Sequence, residues 1–215
     1  MKKIIIWLTV SFIGHLALGG ETVQPKKMFV EDYLEDVGKR YDVFFAAETA
    51  YARRQPDYIL SQTLAITAFP TNVDMALATL TNLLTNITVR VDSHDRRVHY
   101  VMDRRLLEMP DYVMNRTLTA VDFSGNASDY LEQLGQTAPP IVNDNNVNNG
   151  GGPIVVNHDT AISIHEKNIA VREALTRGVN LEGYNRIIWT SCAYLDSPKT
   201  EIKYNGLQRI FPPSK

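Results

Sequence analysis

The sequence predicts an α+β fold: two tandem copies of one small module, each with two helices packed on a small mixed sheet. Three observations predict it. Apolar residues recur at helical spacing in some segments and alternate in others, so both element types are expected within each stretch of about 100 residues. The chain has 215 residues, enough for two compact units of that size. Finally, the apolar pattern repeats itself. Asp32-Tyr33-Leu34-Glu35-Asp36-Val37-Gly38 returns as Asp129-Tyr130-Leu131-Glu132-Gln133-Leu134-Gly135, a shift of 97 residues.

The register survives beyond that heptapeptide. Val43-Phe44-Phe45 falls at Pro140-Ile141-Val142. With a shift of 98, Leu64 and Ile66 fall at Ile162 and Ile164, and Val73, Ala76 and Leu77 at Val171, Ala174 and Leu175. Val89 and Val91 fall at Ile187 and Trp189. Duplication is the simplest cause of a pattern kept through a whole unit. The units expected are residues 21–107 and 112–215, with Pro110 supplying the break.

Each element follows from local chemistry. Val30, Tyr33, Leu34 and Val37 give one apolar face to a helix over about Val30 to Tyr41. Tyr130, Leu131 and Leu134 do the same in the second unit, with Asn126 or Ser128 as N-cap. Gly38 and Gly135 are expected as left-handed residues at the helix ends. Short strands follow at Val43 to Phe45 and Ile141 to Val142, then alternating strands around Leu64 to Ala68 and Ala161 to Ile164. A second helix begins at Asn72 and carries Val73, Ala76, Leu77, Leu80 and Leu84; its counterpart spans about Ile169 to Arg177 and stops at Gly178. Hairpins close both units, Ile87–Val91 with Val98–Met102 and Ile187–Tyr194 with Ile202–Tyr204.

This order of helix, strand, strand, helix and hairpin resembles the short N-terminal (STN-like) domain of secretins and TonB-dependent receptors. The resemblance is carried by Tyr33-Leu34 with Val43-Phe44-Phe45, and by Val73-Asp74-Met75-Ala76-Leu77 followed by Leu80, Leu83 and Leu84. Val171 to Leu175 repeats the latter, and about 75 residues of each unit are covered. The resemblance implies a module of the bacterial envelope that associates with a secretin, pilus or outer-membrane transport assembly.

The first residues point the same way. Lys2 and Lys3 precede an apolar run from Ile4 to Leu18, with small residues at Ala17, Gly19 and Gly20. Residues 1–20 are therefore expected to be a signal peptide, and the protein periplasmic or extracellular. Any membrane contact would come only from that segment left uncleaved. Cys192 is the single cysteine, so no internal disulfide forms, and it is expected as a buried strand thiol. The formal net charge is −2, which gives no strong pull on nucleic acid. The pairs Arg53-Arg54, Arg96-Arg97 and Arg104-Arg105 read as solvated faces.

No catalytic residue, metal ligand or cofactor is assigned. His94-Asp95 and His158-Asp159 lack further ligands at metal spacing, and the first fits hairpin-turn chemistry. The run from Asn143 to Gly152 lacks the acidic spacing of a calcium loop and the lysine of a phosphate loop, so it reads as a surface loop. The sequons at Asn86, Asn115 and Asn126 read as caps or chance. What remains is binding. An envelope protein partner, met through an edge strand or a helix face, is the leading expectation, and self-association is compatible with it. The alternative is a carbohydrate or peptidoglycan fragment in a cleft between the units, stacked on Tyr51, Tyr58 and Tyr184. A small secreted hydrolase is a third reading and would need a deep polar pocket.

Overall fold

Capping and dipole chemistry set the helix limits. In the computed structural model, which describes residues 24–51, 58–110, 112–138, 141–143, 161–179, 181, 185–195 and 200–204, strand β1 (Lys26–Phe29) leads directly into α1 (Val30–Tyr41). Glu31 and Asp32 lie in the first turn of α1 and Lys39 and Arg40 in the last, each complementing the local end of the helix dipole. Asp42 (φ 53°) closes α1 in the left-handed region, its amide donating to the Gly38 carbonyl. Gly38 is thus not the left-handed cap. It is needed for a close approach: a Cβ there would lie 2.4 Å from Arg186 Cβ and 2.9 Å from the Val43 carbonyl oxygen. Gly135, inside α4, is not left-handed either, and a Cβ there would have no neighbour within 4 Å.

The chain continues through β2 (Phe44–Tyr51), β3 (Thr63–Ile66), α2 (Val73–Leu83) and the hairpin β4 (Ile87–Val91) and β5 (Val98–Asp103). After a single helical turn, α3 (Arg104–Leu107), come β6 (Thr117–Asn126), α4 (Ala127–Thr137) and β7 (Ile141–Asn143). The described elements end with β8 (Ala161–Ala170), α5 (Val171–Arg177), β9 (Ile187–Tyr194) and β10 (Thr200–Tyr204). Asn72 caps α2 by accepting the Met75 amide at 2.8 Å, and Asn126 caps α4 by accepting the Asp129 amide at 2.8 Å.

The fold is α+β with mixed sheets, and its halves repeat one order of elements. β1 pairs with β3 as β6 pairs with β8, both antiparallel. β4, β5 and β2 lie side by side as β9, β10 and β7 do, with an antiparallel hairpin and one parallel neighbour in each set. The Tyr33 hydroxyl donates to the Ala76 carbonyl (2.9 Å) and the Tyr130 hydroxyl to the Ala174 carbonyl (2.7 Å), at the positions the repeat aligned.

The halves do not sit apart as separate modules. β2 pairs in parallel with β9, so one six-stranded sheet runs β4-β5-β2-β9-β10-β7. The strand directions show how the halves are related. With β2 pointing up, β5 and β9 also point up, whereas β4, β10 and β7 point down. Each strand of the second half therefore opposes its counterpart while the left-to-right order is kept. A half-turn about a line crossing the strands, with an advance of three strands, relates the two. That operation moves the helices to the other face. One core joins α1 and α2 to Phe45, Ala47, Val101 and Ile87. The other joins α4 and α5 to Phe44, Ala46, Tyr100 and Trp189. β2 and β5 are covered on both faces, which explains their unbroken burial.

Candidate interaction surface

The line where the halves meet is paired and filled. Glu48, in the middle of β2, is fully buried and receives Arg172 of α5 through Nε (2.8 Å) and Nη2 (3.2 Å). Arg172 Nη2 also donates to Asn115 Oδ1 at 2.8 Å. Burial alone would lower the Arg172 guanidinium, but the facing Glu48 carboxylate outweighs it and holds it above its ordinary value. Tyr112 is buried beside this pair, sharing a hydrogen bond with Ser191 (3.1 Å), and burial pushes its phenol well up. Such a bidentate buried ion pair gains little net stability against its desolvation, whereas removing either partner strands the other charge.

A second network closes the β4–β5 turn against α5. Asp92 accepts the amides of His94 (2.8 Å) and Asp95 (2.9 Å), the Tyr100 hydroxyl, and Arg177 Nη2 (3.1 Å). Burial would raise the Asp92 carboxyl, yet these bonds together hold it below the usual carboxylate range. Tyr100 also meets Thr176 Oγ1 at 3.1 Å, and that hydroxyl accepts Trp189 Nε1 at 3.1 Å. His94-Asp95 thus serves the turn; His94 faces Glu166 at 3.3 Å. Among the described residues no three His, Cys, Asp or Glu side chains gather as metal ligands. No described helix is long and apolar enough to cross a membrane.

The expected ligand residues fall in different settings. Tyr51 ends β2 in register with Tyr194. Tyr58 is half-buried against the core beneath α1. Tyr184, His158-Asp159, Arg53-Arg54, most of the Asn143–Gly152 run and the first twenty residues lie outside the described residues. Among the described residues the halves meet through a ladder and a packed core, not across a cleft for these rings to line. Cys192 is half-buried in β9. The Arg104-Arg105 pair is not a solvated face: Arg104 Nε donates to the Ile87 carbonyl at 2.8 Å, and Arg105 Nη2 reaches the fully buried Asp103 carboxylate at 2.6 Å. Of the sequons, Asn126 is a cap and Asn115 a member of the buried network. A groove of about 640 Å³ lies along β1, α1 and β3, lined by Lys26, Lys39, Arg40 and Phe69 among others.

Sequence reasoning missed Tyr112, the buried role of Asn115 and the 3₁₀ turn beside them. A signal was present. Pro56-Asp57-Tyr58-Ile59-Leu60-Ser61-Gln62-Thr63-Leu64 returns 54 residues later as Pro110-Asp111-Tyr112-Val113-Met114-Asn115-Arg116-Thr117-Leu118. Both copies form a 3₁₀ turn, Ile59–Ser61 and Val113–Asn115, that feeds a strand, β3 or β6.

Among the described residues a surface is left open at the outer edge of the first half. Among the described residues β4 has one neighbour in the sheet, β5. The Asn86 carbonyl accepts Arg104 N and the Asp92 amide donates to Val98 O, so even-numbered residues of β4 turn their backbone toward β5. Val89 and Val91 therefore direct N–H and C=O away from the sheet. α2 packs along this strand and adds apolar side chains: Met75 and Val91 are each 51% exposed and Leu83 45%. An unpaired strand edge beside exposed apolar groups is a template for another chain. Comparisons of the chain with protein-family models, with curated proteins and with solved structures each returned no match.

Proposed function

We propose that the chain is an exported protein-interaction module of the bacterial cell envelope, serving an assembly of the secretin, pilus or outer-membrane transport kind. The observation that carries this reading is the outer edge of the first half: the outward backbone of Val89 and Val91 beside exposed Met75 and Leu83. β-Augmentation supplies affinity through main-chain bonds, and the neighbouring apolar groups supply the buried area that such docking needs. The charged and short-N-terminal-domain-like features of the sequence supply the envelope context: Lys2-Lys3 with the following apolar run, and the Val73–Leu84 pattern.

Site-specific photo-crosslinking in cells tests it. A photoreactive residue at Val91 or Met75 is expected to give discrete adducts. One at Ala120, exposed on β6, is expected to give none. Equal labelling from all three positions would remove the reading.

A further inference from the structure

The repeat places chemically similar residues in two settings. Val171 and Leu175 of α5 are fully buried, whereas their counterparts Val73 and Leu77 of α2 are only half-buried. Trp189 of β9 is fully buried, whereas its counterpart Val91 of β4 is 51% exposed. Yet the first-half positions have kept apolar side chains. The difference has one geometric cause. α5 and β9 rest against β2 and β5 of the other half, and among the described residues α2 and β4 have no such neighbour.

We propose that a second copy of this chain is that neighbour: β4 of one copy pairs in parallel with β7 of the next, repeating the β2–β9 junction. The occupant follows from the order of the sheet. β2, the strand that receives β9, has β7 as its counterpart, and among the described residues β7 is the opposite edge of the same sheet. β9, the strand received, has β4 as its counterpart. One molecule therefore carries both sides of an interface already formed at its own centre. The contact joins two different surfaces, so it is heterologous, and the half-turn between successive halves does not bring the chain of contacts back on itself. Assembly is open-ended, each copy adding six strands to one ribbon with helices on alternating faces. The inference rests on the proposed interaction edge and names its partner.

Two proline variants test it. Val89→Pro removes an outward N–H from β4 while leaving the bonds to β5, a substitution tolerated on edge strands. Val142→Pro does the same at β7, since its counterpart Phe45 directs its N–H toward β9, donating to the Arg186 carbonyl at 2.6 Å. Sedimentation of the purified chain is expected to show mass rising past the dimer with concentration, up to about 1 mM. Each variant alone is expected to stay monomeric with an unchanged circular dichroism spectrum. Mixed together, they are expected to give one discrete heterodimer, because each retains the edge the other has lost. A wild-type chain that stays monomeric throughout, or a mixture of folded variants that does not associate, overturns the inference. If that happens while Val91 still crosslinks to a different protein in cells, the interaction reading stands and only the self-pairing fails. If neither occurs, both fall.

Discussion

Helices α2 and α5 occupy matching places in the two halves, yet α5 is buried almost throughout and α2 buries only Ala76 and Leu80 fully. The lesson is that burial here is decided by the neighbour, not by the helix. α5 lies over strands of the other half and carries a charge into that interface at Arg172. The counterpart of Arg172 is Asp74, which is exposed. Matching positions of the two halves thus carry opposite charges where one is enclosed and the other faces outward.

Paired substitutions can break or sharpen this contrast. Trp189→Ala is expected to lose about 3–5 kcal/mol of stability, and Val91→Ala less than about 0.5 kcal/mol at dilution. Urea titration measures both, and similar losses would erase the distinction. Arg172→Met is expected to cost about 3–5 kcal/mol because it strands the buried Glu48 carboxylate, with Glu48→Gln in the same chain recovering part. Asp74→Ala should change little in the same titration. Gly38→Ala is expected to destabilise by about 1–3 kcal/mol, since the new Cβ meets Arg186 and backbone, whereas Gly135→Ala should stabilise by about 0.5–1 kcal/mol. Thermal melts would show the two glycines moving in opposite directions. The caps should instead behave alike: Asn72→Ala and Asn126→Ala each lose about 1 kcal/mol.

The smallest effect concerns His99, which is buried on β5 with neither ring nitrogen hydrogen-bonded. Burial lowers its pKa, only partly offset by Asp74. The unfolded chain therefore binds this proton more readily. The contribution is whole above about pH 6.5 and fades as pH falls toward the folded-state value. His99→Leu should flatten the stability profile between about pH 6.5 and pH 5. An unchanged slope would acquit this residue.

Much of the fold was legible along the chain. The limits of α1, the Asn72 cap and the β4–β5 hairpin all follow from periodicity and capping chemistry. The pattern predicts a strand only as far as Phe45, and beyond it Ala46-Ala47-Glu48-Thr49 alternates neither in polarity nor in size. β2 runs to Tyr51 because both of its faces are covered, so alternation is lost. β1 was missed because Lys26-Lys27-Met28-Phe29 is mostly exposed and held by backbone pairing to β3. The exposed apolar residues of α2 and β4 could be named from the sequence, but not their exposure. That depends on which half covers which face. Likewise, nothing local links Glu48 to Arg172 across 124 residues.

The parallel ladder between β2 and β9 has a kinetic consequence. It joins Phe45 to Ile187, partners 142 positions apart in the chain. Closing so long a loop is slow, and pairing of this range lowers folding rates. Until α4 and α5 of the second half arrive, Phe44, Ala46, Tyr100 and Met102 of the first half lack the helices that cover that side of the sheet. The first half emerges with that apolar face bare, and the second half of the polypeptide supplies its cover.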